Sequence, residues 1–248
     1  MNSNQIYLST IDSRAYDNAK ELGLGVEIAE FCTAMNMDQL YDEIGRIVED
    51  AVRDITPRLL HGPFNELYPC AIDPKARELA AYRFNQALDF CRNFNAKKLI
   101  LHAGFVPRQY YPVWFIEESV LFWKEFLSQQ PDDIRIVIEN VLENDPQWMF
   151  DIVNEVKDPR LKLCLDVGHA NVYSDVDVCK WIENWAPCLD HFHIHNNYGE
   201  NDTHNSLFKG SIPMNEVLEL ADSLCPNATF TMEFIKGSED LPWLKKLL

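Results

Sequence analysis

The sequence lacks the features of a secreted or membrane-embedded protein. Its seven cysteines are odd in number and scattered, without a C-x-x-C pair, which excludes a dense disulfide scaffold. The first residues, Met1–Gln5, have neither the basic nor the apolar region of a signal peptide. No apolar run approaches the roughly 18 residues that a membrane span needs. We therefore expect a cytoplasmic protein without a membrane-spanning segment.

Basic residues are also scarce. The chain has 22 Lys and Arg residues against 39 Asp and Glu residues, which gives a formal net charge of −17. Nucleic-acid affinity depends largely on Lys and Arg displacing counterions, so nucleic acid is a disfavoured partner. A cluster of divalent cations would neutralise several carboxylates locally, and a small anionic substrate stays compatible with this charge.

No segment is rich enough in Gly, Pro or Ser to form a linker, and no repeat is visible beyond an alternation of short apolar runs with longer helical stretches. That alternation is typical of parallel β/α units. An open doubly wound sheet, the alternative, would need a Gly-rich turn after its first strand, where Ser9–Asp12 stands. We therefore predict one (β/α)₈ barrel domain over residues 1–248. Its predicted strands are Ile6–Ser9, Gly25–Glu30, Arg58–His61, Lys98–His102, Ile134–Glu139, Leu161–Asp166, His191–His195 and Thr229–Glu233.

Amphipathic patterns predict three helices most clearly, at Met37–Val52, Pro74–Asn93 and Trp114–Gln129. The second of these has Asp73 as a predicted N-cap and a proline at its first helical position. The last helix of the barrel has to fit within Ser238–Leu248.

Polar side chains gather at the predicted strand ends. In a barrel the loops after the strands converge on one face, where catalytic residues lie. Imidazole and carboxylate groups at these ends are the ligand types that suit Zn²⁺, Mn²⁺ and Fe²⁺. The candidate metal ligands are His61, His102, Glu139, Asp166, His169, His195, Asp202, His204 and Glu233.

Each candidate also has a simpler interpretation. His61 or His102 alone could be a hydrogen-bonded structural histidine. Glu139, Asp166 and Glu233 could each pair with Arg or Lys, although burying three carboxylates without a cation would be costly. Taken together, the nine residues favour a metal site.

Predicted strand seven carries three histidines at alternate positions, His191, His193 and His195. Alternate residues of a strand point to the same side, at increasing depth in a barrel. We take His195, nearest the carboxyl end, as the ligand, and interpret His191 and His193 as deeper barrel-lining or structural residues.

These motifs resemble the xylose isomerase-like TIM-barrel superfamily, which contains sugar isomerases and epimerases as well as endonuclease IV (AP endonuclease family 2). The resemblance implies, in the isomerase branch, one divalent ion held by four residues, which here are Glu139, Asp166, His195 and Glu233. In the endonuclease IV branch it implies three zinc ions held by nine ligands, all of which have a counterpart here. The matching motifs are His61-Gly-Pro, His102-Ala-Gly, Ile138-Glu139-Asn140, Asp166-x-x-His169, His195-Asn-Asn, Asp202-x-His204 and Glu233.

The resemblance leaves two reactions open. In the first, Glu139 and Glu233 move a proton through a metal-stabilised enediolate of a small sugar or sugar phosphate, with one ion such as Mn²⁺. In the second, a zinc centre bridged by Glu139 hydrolyses a phosphoester, with up to three Zn²⁺ ions. The acidity, and the likeness of Ile138–Glu143 to the sugar-isomerase branch, favour isomerisation or epimerisation. The chain also shows no basic, aromatic loop that would grip DNA.

A third interpretation is a non-catalytic, metal-binding barrel. A structural zinc site is normally closed by four ligands, and nine ligands on an open face exceed that number. The sequence leaves the oligomeric state open.

Substrate contacts are predicted from cations on the same face, Lys209, Arg108 and Lys236, which could bind a phosphate or carboxylate or could equally be solvated charges. An apolar wall against a sugar ring could be formed by Phe64, Phe105, Tyr110 and Trp114.

Overall fold

The computed structural model describes residues 2–234 and 240–247. Eight parallel strands pair in sequence order, and the first pairs with the last, so the sheet closes into a barrel. This confirms the predicted (β/α)₈ fold. The strands are β1 (Ile6–Ser9), β2 (Gly25–Ile28), β3 (Arg58–His61), β4 (Lys98–His102), β5 (Arg135–Glu139), β6 (Leu161–Asp166), β7 (Leu189–Ile194) and β8 (Thr229–Met232).

Helices follow every strand and surround the barrel. Ten α-helices lie within the described residues, after a short 3-10 helix at Ser3–Gln5. They are α1 (Ala15–Leu22), α2 (Ala34–Met37), α3 (Tyr41–Val52), α4 (Pro74–Asn93), α5 (Pro112–Ser128), α6 (Pro146–Val156), α7 (Val167–Tyr173), α8 (Val178–Trp185), α9 (Met214–Leu224) and α10 (Leu241–Leu247).

The predicted strands have the same bounds as β1, β3, β4 and β6 in the structure. The predictions for β2, β5 and β8 differ by one or two residues at one end, and that for β7 differs at both ends. His195 therefore follows β7 instead of ending it. Helix α4 has the predicted bounds, and the Asp73 side chain accepts a hydrogen bond from the Lys75 backbone N–H at 2.8 Å. Helix α5 starts two residues earlier than predicted, and α10 lies within the predicted last helix, of which residues 238, 239 and 248 are outside the described residues.

The predicted helix Met37–Val52 ends where α3 ends, but its predicted start is wrong, because the chain turns between α2 and α3. Both carboxylate oxygens of Asp38 accept hydrogen bonds from Arg83 on α4, each at 2.8 Å. The ring of Tyr41 stacks on Phe90 of the same helix, with centroids 4.7 Å apart. These contacts between α4 and the turn fix a break that helical periodicity alone does not reveal.

The barrel has two apolar layers. Outward-facing strand residues pack against the helices in one large core, as expected for a sheet covered by helices. Inside the barrel a small apolar cluster is formed by Tyr7, Leu59, Ile100, Val137 and Cys164. Because side chains alternate along a strand, the inward residues two positions further along β3 to β6 are His61, His102, Glu139 and Asp166. The fold therefore places imidazoles and carboxylates at the carboxyl end of the barrel.

All seven cysteines are free thiols. Within the part of the chain that the structure describes, no helix combines the length and the apolarity needed to cross a membrane.

Candidate metal centre

The nine predicted ligands come together in one cluster, and Glu139 lies near its middle. Its carboxylate is 3.3 Å from His61 Nε2, 3.5 Å from His102 Nε2 and 3.3 Å from His169 Nδ1. The Glu139 residue is only 1% exposed. The ends of β3 and β4 and the first turn of α7 thus present their donor atoms to one buried carboxylate at the end of β5.

Asp202, on the loop after β7, is a second carboxylate with three histidines close to it. Its Oδ2 lies 3.2 Å from His169 Nε2 and 3.0 Å from His204 Nε2, and its Oδ1 lies 3.8 Å from His195 Nδ1. The two nitrogens of His169 therefore face two different carboxylates, Glu139 and Asp202.

The remaining predicted ligands, Asp166 and Glu233, lie in the same cluster. His195 Nε2 is 3.0 Å from each oxygen of Asp166. Glu233 Oε2 lies 3.8 Å from His204 Nδ1 and 3.6 Å from His193 Nδ1. The rings of His195 and His204 stack with centroids 3.9 Å apart, which holds the loop after β7 against the strand ends.

The donor set fits divalent cations. Several groups of residues have donor atoms within 4.8 Å of one another. Three of them consist of predicted ligands alone: His61 with His102 and Glu139, His169 with Asp202 and His204, and His195 with His204 and Glu233. A further group joins Glu27 and His193 to His61 and Glu233. Buried donor atoms such as Glu139 Oε2, His195 Nδ1 and Asp202 Oδ1 have no aligned hydrogen-bond partner among the described residues. Such unsatisfied atoms are costly unless a cation or another partner meets them.

The alternative of carboxylates paired with Arg or Lys does not hold for this cluster. Among the described residues, no Lys or Arg forms an ion pair with Glu139, Asp166 or Glu233, and their charged neighbours are histidines. A cluster of acids and imidazoles without a fixed cation suits a bound metal ion.

The environments of the two proposed proton-transfer carboxylates differ. Burial favours protonation of both, but His193 and His102 outweigh it at Glu139 and hold the pKa of that carboxyl well below its usual range. At Glu233, burial and the neighbouring Glu27 and Glu139 carboxylates raise the pKa. Opposed proton affinities in one site are typical of an acid and base pair.

Histidine ionisation also varies within the cluster. Burial lowers the pKa of His102 to about 3. Burial acts in the same direction on His204, but the hydrogen bond to Asp202 and the charge of Glu233 outweigh it and raise the pKa to about 9.

Local sequence explains how the junction of β6 and α7 positions two predicted ligands, Asp166 and His169. Asp166 is the N-cap of α7 and accepts a hydrogen bond from the His169 backbone N–H at 2.7 Å. Asn140 brackets the same strand end, because its Nδ2 donates to Asp166 O and its Oδ1 accepts from Asp166 N. A Cβ at Gly168 would lie 1.9 Å from His195 Cε1, so only glycine leaves room for that ring.

The loop after β7 is shaped by two asparagines. Asn196 pairs with Asn205 through the backbone, and its Nδ2 donates to Leu207 O at 2.7 Å. Asn197 Nδ2 donates to Gly168 O at 2.9 Å. This closed loop carries Asp202 and His204, the latter in the left-handed region at φ 45°.

One buried acid near the cluster, Glu27, was not predicted from the sequence. Glu27 on β2 is fully buried, and its oxygens lie 3.1 Å from both His191 Nε2 and His193 Nε2 and accept a hydrogen bond from Thr231. His193 Nδ1 is in turn 3.2 Å from Glu139 Oε1. The prediction that His191 and His193 lie deeper in the barrel agrees with this arrangement. The available signal was a single acid at an inward position among apolar β2 residues.

A cavity of about 490 Å³ opens beside the cluster. Its lining contains no Lys or Arg among the described residues, and consists of Ile11, Ala29, Cys32, His61, Phe64, His102, Glu139, His169, Asp202, His204 and Glu233. We call it the metal cavity. Phe64 stacks on His102 with centroids 4.4 Å apart, so this predicted wall residue does border the cavity.

The other predicted substrate residues lie elsewhere. Arg108, Phe105 and Tyr110 line a second cavity. Lys209 is exposed on the loop after β7, and Lys236 falls outside the described residues. Trp114 lies in the first turn of α5 and donates its Nε1–H to Cys70 O at 2.9 Å, so it packs against the barrel wall.

Comparison with known proteins gives one family match. The family model described as xylose isomerase-like TIM barrel matches residues 16–247. A related sequence is the uncharacterized protein MJ1311 of Methanocaldococcus jannaschii, which is 25% identical over 171 residues. That alignment covers 65% of this chain and 58% of the relative, so the chain spans less than two thirds of the relative's length.

Two solved structures share the fold. A D-tagatose 3-epimerase-like protein superposes with a TM-score of 0.78 at 20% identity, covering 98% of this chain and 95% of that one. The IolI protein with a bound zinc atom gives a TM-score of 0.76 at 14% identity, with coverage of 98% and 95%.

Proposed function

Because the chain belongs to the xylose isomerase-like TIM-barrel family, we propose that it is a divalent-metal-dependent enzyme acting on a small sugar or sugar phosphate. The reaction we favour is isomerisation or epimerisation by proton transfer. The observation that carries this proposal is the pair Glu139 and Glu233, which both border the metal cavity and both approach His193 Nδ1, at 3.2 and 3.6 Å. Two carboxylates this close, with Asp166 and His195 beside them, can serve one reacting carbon.

The metal cavity supports a small substrate. Its volume of about 490 Å³ lies within the range of small-molecule sites and would hold one sugar or sugar phosphate. The name of the D-tagatose 3-epimerase-like protein points in the same direction. A lining of imidazoles and carboxylates offers many hydrogen-bond partners for sugar hydroxyls.

In the proposed reaction, different residues of the site would have different roles. A bound divalent ion would polarise the sugar carbonyl and its neighbouring hydroxyl. Glu139, whose pKa is held low, would accept the proton from the carbon next to the carbonyl. Glu233, whose pKa is raised, would return a proton on the other side of the resulting enediolate. His102 and His169, at the cavity wall, would orient the sugar hydroxyls.

Phosphoester hydrolysis is a second candidate, favoured by one specific observation. Eight of the nine predicted ligands, all except Asp166, fall into three donor groups of which two share His204, and Glu139 of the first group also approaches His169 of the second, which suits a multinuclear zinc centre. The isomerase reaction needs only four of these ligands.

Metal analysis distinguishes the two reactions. The protein is purified without chelator, and zinc, manganese, cobalt and magnesium are measured per chain. We expect about one ion per chain, together with uptake of solvent deuterium into the carbon-bound position of a sugar from a panel of ketoses, aldoses and their phosphates. His102→Ala is expected to leave this single ion in place.

About three zinc ions per chain, reduced to about two by His102→Ala, would contradict the one-ion reaction and support phosphoester hydrolysis. Bound metal without turnover of any sugar or phosphoester would contradict both reactions and support a non-catalytic barrel.

A further inference from the structure

A second cavity lies beside the metal cavity on the same face of the barrel. Its volume is about 440 Å³, and it is bordered by the segments that follow β4, β5 and β6. His169 lines the metal cavity and Tyr173, one turn later in α7, lines the second one. Their ring centroids are 6.2 Å apart, so a single helical turn separates the two cavities.

Five aromatic side chains line this second cavity: Phe105, Tyr110, Tyr111, Trp148 and Tyr173. The inner wall is firmly packed, because the rings of Phe105 and Trp148 lie 5.1 Å apart and Phe105 also contacts Phe115. The rim is uncovered, since Tyr111 is 82% and Tyr173 40% exposed. Aromatic faces left open to a cavity are suited to stacking on another planar ring.

The cavity also carries a cation. Arg108 is exposed and forms no ion pair with any described residue, whereas Arg83, Arg92 and Arg160 all pair with carboxylates. Its backbone adopts φ 67°, a left-handed conformation that is unfavourable for arginine. The turn is closed by the Tyr110 N–H, which donates to Val106 O at 3.1 Å. Arg46 and Arg58 also lack an ion pair among the described residues, but their guanidinium groups donate to backbone carbonyls, whereas that of Arg108 stays open to an anion.

Amides complete the lining. Gln109 and Asn144 border the cavity, and Gln109 Nε2 donates to the Tyr110 hydroxyl at 3.2 Å. Amide groups can both donate to and accept from the edge of a heteroaromatic ring. A purely apolar occupant would leave these amides and Arg108 unused.

We propose that this cavity, which we call the aromatic subsite, binds a heteroaromatic ring joined to an anionic group, as in a nucleoside monophosphate. The ring stacks on the aromatic walls and the phosphate pairs with Arg108. The inference goes beyond the proposed function. The ribose of a nucleotide is closed by its glycosidic bond and lacks the carbonyl that the proposed isomerisation needs, so the monophosphate is a ligand of the aromatic subsite and not the sugar substrate. One mononucleotide suits a cavity of about 440 Å³, whereas the acidity of the chain disfavours a polynucleotide.

The test is a binding titration on the protein as purified with its metal, and it needs no turnover. Adenosine 5′-monophosphate is the probe, and tryptophan fluorescence reports binding because Trp148 lines the subsite. We expect saturable binding, about tenfold tighter than that of adenosine, which lacks the anion, or ribose 5-phosphate, which lacks the ring. Trp148→Phe should remove most of the signal.

Two exposed positions supply the variants, and both should fold normally. We expect Tyr111→Ala to weaken binding of the monophosphate about tenfold. Arg108→Ala should weaken it to the level of adenosine without changing the affinity for adenosine itself. The controls are Tyr82→Ala on α4, where the side chain is 58% exposed, and Arg53→Ala at the end of α3.

Equal affinity for ribose 5-phosphate and the monophosphate would overturn the proposal, as would binding that resists both variants but is lost in Glu139→Gln. The proposed function fails separately. Nucleotide binding that depends on Tyr111 and Arg108, without turnover of any sugar, would leave the subsite in place and reject the reaction.

Discussion

The position of Glu139 in the barrel determines the ionisation of its carboxylate. It is the last residue of β5, it points into the barrel, and three ligand imidazoles lie within 3.5 Å of its carboxylate. Burial alone would protonate it, but the surrounding histidines keep it ionised. Glu233, in the same cluster, keeps its proton more tightly, as the opposite roles of the two acids in the proposed reaction require.

Glu233→Gln is the sharpest test of this division. Glutamine has the same shape but can neither exchange a proton nor carry charge, so we expect turnover to fall by about 10²- to 10⁴-fold. The measurements are the rate of deuterium incorporation into the sugar and the metal content per chain. Glu200→Gln, on the exposed part of the loop after β7, is the control and should change neither.

Unchanged activity and metal content in Glu233→Gln would show that the site is assigned wrongly.

Glu27→Gln tests the buried network beneath the cluster. Glu27 carries charge in a fully buried position, where His191, His193 and Thr231 surround it. Removing one partner of a buried charged pair leaves the other unpaired, so we expect a loss of about 3–5 kcal/mol in the free energy of unfolding. Urea titration of the metal-free protein measures it, with exposed Glu155→Gln on α6 as the control.

A loss below about 1 kcal/mol would mean that water or a rearranged side chain replaces the Glu27 carboxylate.

At the scale of elements, the positions of the predicted ligands depend on the contacts at the end of each strand and in the segment that follows it. Asp166 both ends β6 and caps α7, so its position and that of His169 are set together. The loop after β7 instead depends on long-range contacts of Asn196 and Asn197, including the hydrogen bond to Gly168 O. The first arrangement is local in sequence and the second is not.

Asp73→Ala tests a local signal that the sequence predicted. The side chain of Asp73 accepts the Lys75 N–H at the start of α4, and losing such a cap costs about 0.5–2 kcal/mol in the free energy of unfolding. Denaturant unfolding measures the change. Asp54→Ala removes the same charge from an exposed residue outside any helix, and we expect no effect beyond about 0.5 kcal/mol. Equal losses in both variants would attribute the effect to charge and not to capping.

For the whole molecule, the metal-free state should respond to pH. His204 has its pKa raised to about 9, and the pKa values of His169 and His193 are raised as well. Since these histidines bind protons more tightly when folded, their stabilising contribution is complete below about pH 6.5 and is lost as the pH rises to 9. Glu143, whose pKa burial raises to about 7, acts in the same direction.

We therefore expect the melting temperature of the chelator-treated protein to fall between pH 6.5 and 9, and the slope to be smaller in His204→Asn. A melting temperature that rises over this interval in the chelated wild type would contradict the assignment of a protonated imidazole cluster.

The stabilisation that a bound metal ion provides should increase with pH, whereas the stability of the metal-free protein falls. A ligand that binds only the folded state stabilises it by about 4 kcal/mol at a thousand times its dissociation constant. For a chain of this size that is about 8–16 °C in melting temperature. Because imidazole must lose its proton to bind metal, the difference between loaded and chelated protein should grow from pH 6 to 8. A difference that is absent at every pH would argue against the metal centre.

The sequence by itself determined the barrel, four strands to the residue, helix α4 with its cap, and the nine residues that the structure brings together. These features follow from local rules: side chains alternate along a strand, caps act within one turn, and strand ends of a closed parallel barrel share one face.

Only the tertiary structure decided the break between α2 and α3, the role of Glu27 beneath the cluster, and the separation of Arg108 from the metal cavity. Each depends on contacts between residues far apart in the chain, such as Arg83 with Asp38 and Glu27 with His193. A periodic pattern records which side of an element is buried, but not which distant side chain it meets, because that is set by packing of the whole barrel.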